Sequence, residues 1–233
     1  MKTTIVLPCY NPPQDWEKRV VTAYSSFSSV IGEKPELVIV LDGHSKSVKD
    51  DALNYLKQQI EDLHVVSYEI NKGKGYAIRQ GVAKATGEII LYTDIDFPYT
   101  QDSMLLLYNS LKDNVCEVAV GVKNTTYYSH VPYVRRMISY FLRFLISIFL
   151  SMPITDTQCG LKGFRSNIKP VFLKTTINRY LFDLEFIRNC FKAKQYKVLA
   201  IPVALKDDIH FIKMNYRVLF HEMLNFAKLL FTK

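Results

Sequence analysis

Residues 71–96 read NKGKGYAIRQGVAKATGEIILYTDID, and this stretch decides the fold. It opens on a glycine-rich turn, Asn71-Lys72-Gly73-Lys74-Gly75. The residues after that turn predict a helix over 75–84, and Thr86-Gly87 punctuates its end. Residues 88–93 follow, centred on Ile89-Ile90-Leu91-Tyr92. A short run of β-branched and aromatic side chains suits a strand buried on both faces. Past it stand two carboxylates, Asp94 and Asp96, one residue apart.

The same rhythm extends in both directions. Upstream, residues 4–8 and 37–41 read as buried strands, 14–31 and 49–61 as helices, and 64–68 as a further strand. Downstream, one more helix leads to a strand over 117–122. Alternating strands and helices at this spacing predict an α/β fold with a mostly parallel central sheet flanked by helices. In such sheets ligands bind outside the carboxyl ends of the strands. The polar residues of interest follow strand ends: Pro8-Cys9-Tyr10-Asn11, Asp42-Gly43 and Asp94-Ile95-Asp96.

A chain of 233 residues, 48% hydrophobic, can bury a substantial core, which excludes a disordered protein. Cys9, Cys116, Cys159 and Cys190 form no CxxC pair, which argues against a zinc site and for a reducing compartment. Met1-Lys2-Thr3-Thr4 runs straight into a strand, with no leader pattern. Charge divides unevenly: residues 1–130 carry −3 and residues 131–233 carry +11. The basic half is expected to face an anionic surface. It holds two amphipathic helix candidates, 133–152 and 211–231. The first has Arg143 near its middle and is too short to span a bilayer, so an interfacial or buried helix is expected. No nucleic-acid motif is present, and no nucleic-acid partner is expected.

Asp94 and Asp96 offer hard oxygen ligands of the kind that join Mg²⁺ or Mn²⁺ to substrate phosphates. The turn at 71–75 offers a helix N-terminus, with Lys74 as a point charge, for an anion. Asp42 could accept from a ribose or a base, and Tyr10 could wall a nucleobase. Each of these also has a plain reading as a turn: solvated at Asp94 and Asp96, a polar turn with a helix start at 71–75, a simple Asp-Gly turn at Asp42, and an aromatic lid over the core at Tyr10.

Taken in order, Leu7-Pro8-Cys9-Tyr10-Asn11, Asp42-Gly43, residues 71–75 and Asp94-Ile95-Asp96 resemble the family 2 (GT-A fold) inverting glycosyltransferases. Residues 156–164, DTQCGLKGF, resemble a segment of the dolichyl-phosphate glucosyltransferases and related polyprenyl-phosphate sugar transferases. Arg135-Arg136 with Ser139, and Phe182-Asp183-Leu184-Glu185, match further segments, so that the likeness covers residues 3–205. The resemblance implies a GT-A catalytic domain over 1–205, followed by an amphipathic helix over 206–233. Within that domain, 1–130 would bind the nucleotide-sugar and 131–205 the acceptor. Pro8, Tyr10, Asn11, Asp42, Lys74 and Asp94 would line the donor site. Asp96, with Asp94, would hold the metal. Arg135, Arg136, Ser139 and Gln158 would meet the acceptor. Asp156, Asp183 and Glu185 are candidate bases, although a phosphate acceptor needs none.

The sequence departs from the family pattern at Pro12, Leu41 and His44, which bears on nucleobase choice, and over 206–213, where a closing loop is altered. The expected function is metal-assisted transfer of a sugar, glucose from UDP-glucose, to a polyprenyl or dolichyl phosphate at the cytoplasmic face of a membrane. A saccharide acceptor and a non-catalytic membrane-surface module are the alternatives. A nucleotidyltransferase would place a glycine-rich loop after the first strand, and Cys9-Tyr10-Asn11-Pro12-Pro13 contains none. The sequence is silent on oligomeric state.

Overall fold

A computed structural model describes residues 1–123, 133–150, 152–206 and 216–231, without the side chains of 134, 135 and 216–220. The strands are β1 (Thr3–Cys9), β2 (Glu36–Asp42), β3 (Leu63–Tyr68), β4 (Ile89–Tyr92), β5 (Val118–Lys123), β6 (Lys162–Arg165) and β7 (Val198–Val203). Among the described residues the helices are α1 (Trp16–Ile31), α2 (Asp50–Gln59), α3 (Lys74–Lys84), α4 (Gln101–Lys112), α5 (Tyr133–Leu150), α6 (Lys169–Leu173), α7 (Phe182–Ala193) and α8 (Tyr216–Phe231). The seven strands form one sheet in the order β3-β2-β1-β4-β6-β5-β7. All neighbours are parallel except β6, which runs against β4 and β5.

This is the expected mostly parallel α/β sheet. Strand and helix ends read from the sequence lie within two residues of those observed, down to the first apolar helix of the basic half. Residues 211–215 of the second lie outside the described residues. The sequence reading left β6, β7, α6 and α7 undivided. β6 has only four residues, and Lys162 and Gly163 are half of them. A lysine and a glycine carry no strand signal.

Alternation within the strands explains their unbroken apolar character. Ile5, Leu7, Leu37 and Ile39 pack beneath α1, α2 and α4. Val6, Val38 and Val40 point the other way, toward α3, α6 and α7. Strand order changes direction between β1 and β4, with β2 and β3 on one side and the remaining strands on the other. A crevice opens at such a point, above the carboxyl ends of the strands.

Helices α5 and α8 lie over the second core. Ile146 on α5, and Phe226 and Leu229 on α8, are buried in it. The opposite face of α5 leaves Tyr133, Tyr140, Phe141, Phe144, Ile148 and Phe149 between 47% and 66% exposed. Among the described residues, no helix is long and apolar enough to cross a membrane.

Candidate active site

The crevice gathers the ends of β1, β2 and β4 with the start of α3. Pro8 is half-buried and Tyr10 half-exposed at the β1 end. Asn11 follows in a left-handed conformation, with φ of 47°. Its Oδ1 accepts from Ser45 Oγ at 2.8 Å, tying the β1 loop to the β2 loop.

Asp42 ends β2 and is buried. Its Oδ1 accepts from the Tyr68 hydroxyl and the Lys72 N–H, both at 2.8 Å. Its Oδ2 accepts from Asn71 Nδ2 at 2.9 Å and the Gly73 N–H at 3.0 Å. Those four donors fill the carboxylate's acceptor sites. Asp42 therefore anchors the 71–73 turn that delivers Lys74.

The glycines of that turn have a reason the sequence alone concealed. A Cβ on Gly73, whose φ is +102°, would sit 2.6 Å from the Asn178 carbonyl oxygen. One on Gly75 would sit 2.6 Å from Phe182 Cβ. The glycines admit residues 177–182 of the protein itself rather than a ligand. Arg79 fixes that segment by donating to the Ile177 carbonyl at 2.7 Å and to Asn178 Oδ1. Glu185 holds its start, accepting from the N–H groups of Thr176 and Ile177 at 2.8 Å each.

Lys74, the first residue of α3, reaches Asp94, with Nζ 2.5 Å from Oδ1. Burial disfavours its ammonium, but the charges of Asp94 and Asp183 outweigh that and hold its pKa above the ordinary lysine value. Asp96 lies beside them. Its own pKa is raised, first by burial and then by the neighbouring charge of Asp94. A cavity of about 420 Å³ opens at Asp96, with Arg19, Tyr99 and Lys206 on its walls.

The donor set fits a divalent cation. Two carboxylates at one strand end supply hard oxygens, and a cation would relieve the repulsion from Asp94 that adds to burial in raising the Asp96 pKa. Another compact group, Glu36, Asp62 and His64, lies at the amino ends of β2 and β3, the far rim of the sheet. There Glu36 already accepts from the Thr86 N–H and from the hydroxyls of Thr4 and Thr86.

The other acidic candidates are engaged with protein groups. Asp183, at the start of α7, accepts from the Tyr92 hydroxyl at 2.6 Å and pairs with Lys162 at 2.9 Å. Burial raises its pKa, while Lys162 and Lys74 oppose that rise. Asp156 is buried, accepts from the Lys123 N–H at 2.7 Å and pairs with Arg143 at 2.6 Å. That pair explains the arginine inside an apolar helix: it docks α5 onto the loop before β6. Glu185 secures the 175–177 turn, as described.

Of the residues expected to meet the acceptor, Arg136 is half-buried on α5, its guanidinium carbon 5.5 Å from the Tyr133 ring centroid. Ser139 lies one turn further along the same helix. The Arg135 side chain lies outside the described residues. Gln158 is half-buried, with Nε2 3.4 Å from Thr157 Oγ1. The sequence reading passed over Lys162, a fully buried cation in the DTQCGLK stretch. Its signal was a lysine between apolar residues, Leu161 and Phe164, and the glycine at 163.

Comparison with known proteins is consistent with this geometry. A relative in Saccharomyces cerevisiae, a dolichyl-phosphate beta-glucosyltransferase, is 27% identical over 220 residues, covering 86% of this chain and 66% of its own length. The Homo sapiens protein of the same name is 26% identical over 220 residues, covering 87% of this chain and 66% of its own. The chain thus spans just under two thirds of these relatives. In fold it is similar to glucosyl-3-phosphoglycerate synthase from Mycobacterium tuberculosis, solved with Mn²⁺, UDP-glucose and phosphoglyceric acid. That likeness has a TM-score of 0.68 at 14% identity and covers 98% of this chain and 78% of the other. The family model "Glycosyl transferase family 2" matches residues 4–169, well over half the chain, from β1 through the crevice to α6. With the sheet order and the paired carboxylates at the β4 end, that match makes the chain a member of glycosyl transferase family 2.

Proposed function

We propose that the chain transfers glucose from UDP-glucose to a polyprenyl or dolichyl phosphate, with a divalent metal held at Asp94 and Asp96. The observation that carries this reading is the cluster of Lys74, Asp94 and Asp96 at the carboxyl ends of the sheet. The relatives named dolichyl-phosphate beta-glucosyltransferase support the donor sugar and the acceptor class.

Asp94 and Asp96 would hold a Mg²⁺ or Mn²⁺, which would supply Lewis-acid neutralisation of the departing diphosphate. The protein's part is placement. Asp42 holds the turn that fixes Lys74 beside Asp94, so an ammonium to face the diphosphate and a carboxylate to hold the metal are already oriented. Pro8, Tyr10 and Asn11 line the nucleoside side of the crevice. The acceptor phosphate is already ionised and attacks the anomeric carbon in line without a base. This suits a site whose Asp156, Asp183 and Glu185 are each engaged by protein donors. Arg135, Arg136, Ser139 and Gln158 receive the acceptor, the guanidinium groups matching its phosphate oxygens.

The exposed aromatic face of α5 and the charge of +11 over residues 131–233 support seating at the cytoplasmic face of an anionic membrane. The test is transfer of radiolabelled glucose from UDP-glucose into an organic-extractable product, using vesicles with and without polyprenyl phosphate. Label in the lipid phase only when polyprenyl phosphate is present supports the acceptor. Label on a soluble saccharide instead would replace that acceptor and leave a glycosyltransferase.

A further inference from the structure

Lys162 in β6 has a side chain with no exposed surface, so no substrate touches it. A buried ammonium is costly, and a well-packed apolar group often serves stability as well or better. Three neighbours receive this one. It donates to the Cys159 carbonyl, pairs with Asp183 Oδ2 at 2.9 Å and lies 5.9 Å from the centroid of the Tyr92 ring.

Two paths lead from Lys162 to Asp94. The first runs through the Cys159 carbonyl, which fixes the turn containing Gly160. That turn is pinned further by the Gly160 N–H donating to the Tyr99 hydroxyl at 2.6 Å. Gly160 backs directly onto Asp94: a Cβ there would lie 2.4 Å from Oδ2. The second runs through Asp183, held between Lys162 and the Tyr92 hydroxyl. Its charge acts on Lys74, whose ammonium holds Asp94 Oδ1 at 2.5 Å.

We infer that Lys162 is a positioning residue for Asp94, setting one carboxylate oxygen through the Cys159–Gly160 turn and the other through Asp183 and Lys74. This rests on the proposed metal role of Asp94. It also gives the DTQCGLK and FDLE stretches a shared task, framing the metal-binding carboxylate from beneath.

The experiment compares wild type, Lys162→Met and Lys162→Met/Asp183→Asn. It reads Tm, Mn²⁺ affinity in the presence of UDP by electron paramagnetic resonance, and kcat with UDP-glucose. Lys162→Met strands a buried carboxylate and lowers Tm. The double variant removes both charges and regains most of that Tm. Its Mn²⁺ affinity nevertheless stays about 10–100-fold below wild type, the range for groups that orient metal ligands, and kcat stays low. Should the single variant fail to fold, the double variant decides alone. A double variant that regains Tm and binds Mn²⁺ within about twofold of wild type would show Lys162 to be purely structural and overturn the inference. Wild type that binds no Mn²⁺ would instead bring down the metal reading, and the inference with it.

Discussion

Gly160→Ala is a small change aimed at Asp94, one of the two carboxylates proposed to hold the metal. The new Cβ would sit 2.4 Å from Asp94 Oδ2, where ordinary contact begins at 3.4 Å. Something must move by about 1 Å. The Cβ lies 3.3 Å from the Tyr99 hydroxyl and 3.4 Å from Asp94 Cγ, so the carboxylate oxygen is the atom that yields. Asp94 keeps 39% of its side chain exposed and can yield toward solvent at the expense of its ion pair with Lys74, so the variant is expected to fold with a modestly lowered Tm. Catalysis is far less tolerant, because a misplacement of about 1 Å in a reacting constellation can cost about 100-fold. That factor corresponds to about 2.7 kcal/mol in the barrier. The assay is Mn²⁺-dependent UDP release from UDP-glucose, read as kcat/KM beside a thermal melt. A folded Gly160→Ala protein within about threefold of wild type would refute the placement of Asp94 in the reaction.

Asp156→Ala should act on stability, since it leaves Arg143 and Lys123 facing a buried gap. Breaking a buried pair costs about 3–5 kcal/mol, or roughly 6–20 °C at this chain length; an unchanged Tm would remove Asp156 as the anchor of α5. Glu185→Ala strands the N–H groups of Thr176 and Ile177, each worth about 1–3 kcal/mol, and urea denaturation should show a lower midpoint; a midpoint equal to wild type would contradict the clamp described for that turn. The Glu36 pKa is pushed up by burial, but bonds from Thr4 and Thr86 outweigh this and hold it below the ordinary glutamate value. Its contribution is therefore present above that value and lost as pH falls through the folded pKa. Glu36→Gln should flatten the acid limb of the stability profile and leave Mn²⁺ affinity unchanged, whereas weakened Mn²⁺ binding would move the metal to the far rim of the sheet.

The fold was legible wherever strands are buried on both faces. Residues 4–8, 37–41 and 89–92 show it as uninterrupted apolar runs ending in polar residues. β6 was not legible, because its Lys162 and Gly163 are chosen by neighbours distant in sequence: Asp183 for one, and the side chains of Leu91 and Leu111 for the other. Asp94, Asp96 and Lys74 could be picked out because they follow a strand or begin a helix. What the sequence could not show is how far a carboxylate is already engaged. Asp42, Asp156, Asp183 and Glu185 look alike as letters, yet the protein's own donors bind each of them. The packing role of Gly73 and Gly75 was hidden for the same reason, since the segment they admit lies about a hundred residues further along the chain.

The proposed function turns on a metal-dependent nucleotide-sugar site at the β4 end. The most direct measurement is UDP release from UDP-glucose by wild type and Asp96→Ala, with Mn²⁺ or with EDTA, in the presence and absence of polyprenyl phosphate. We expect release by wild type that needs Mn²⁺ and rises with the lipid, and none by Asp96→Ala of normal Tm. Release that persists in EDTA, or full activity in Asp96→Ala, would contradict the proposed function.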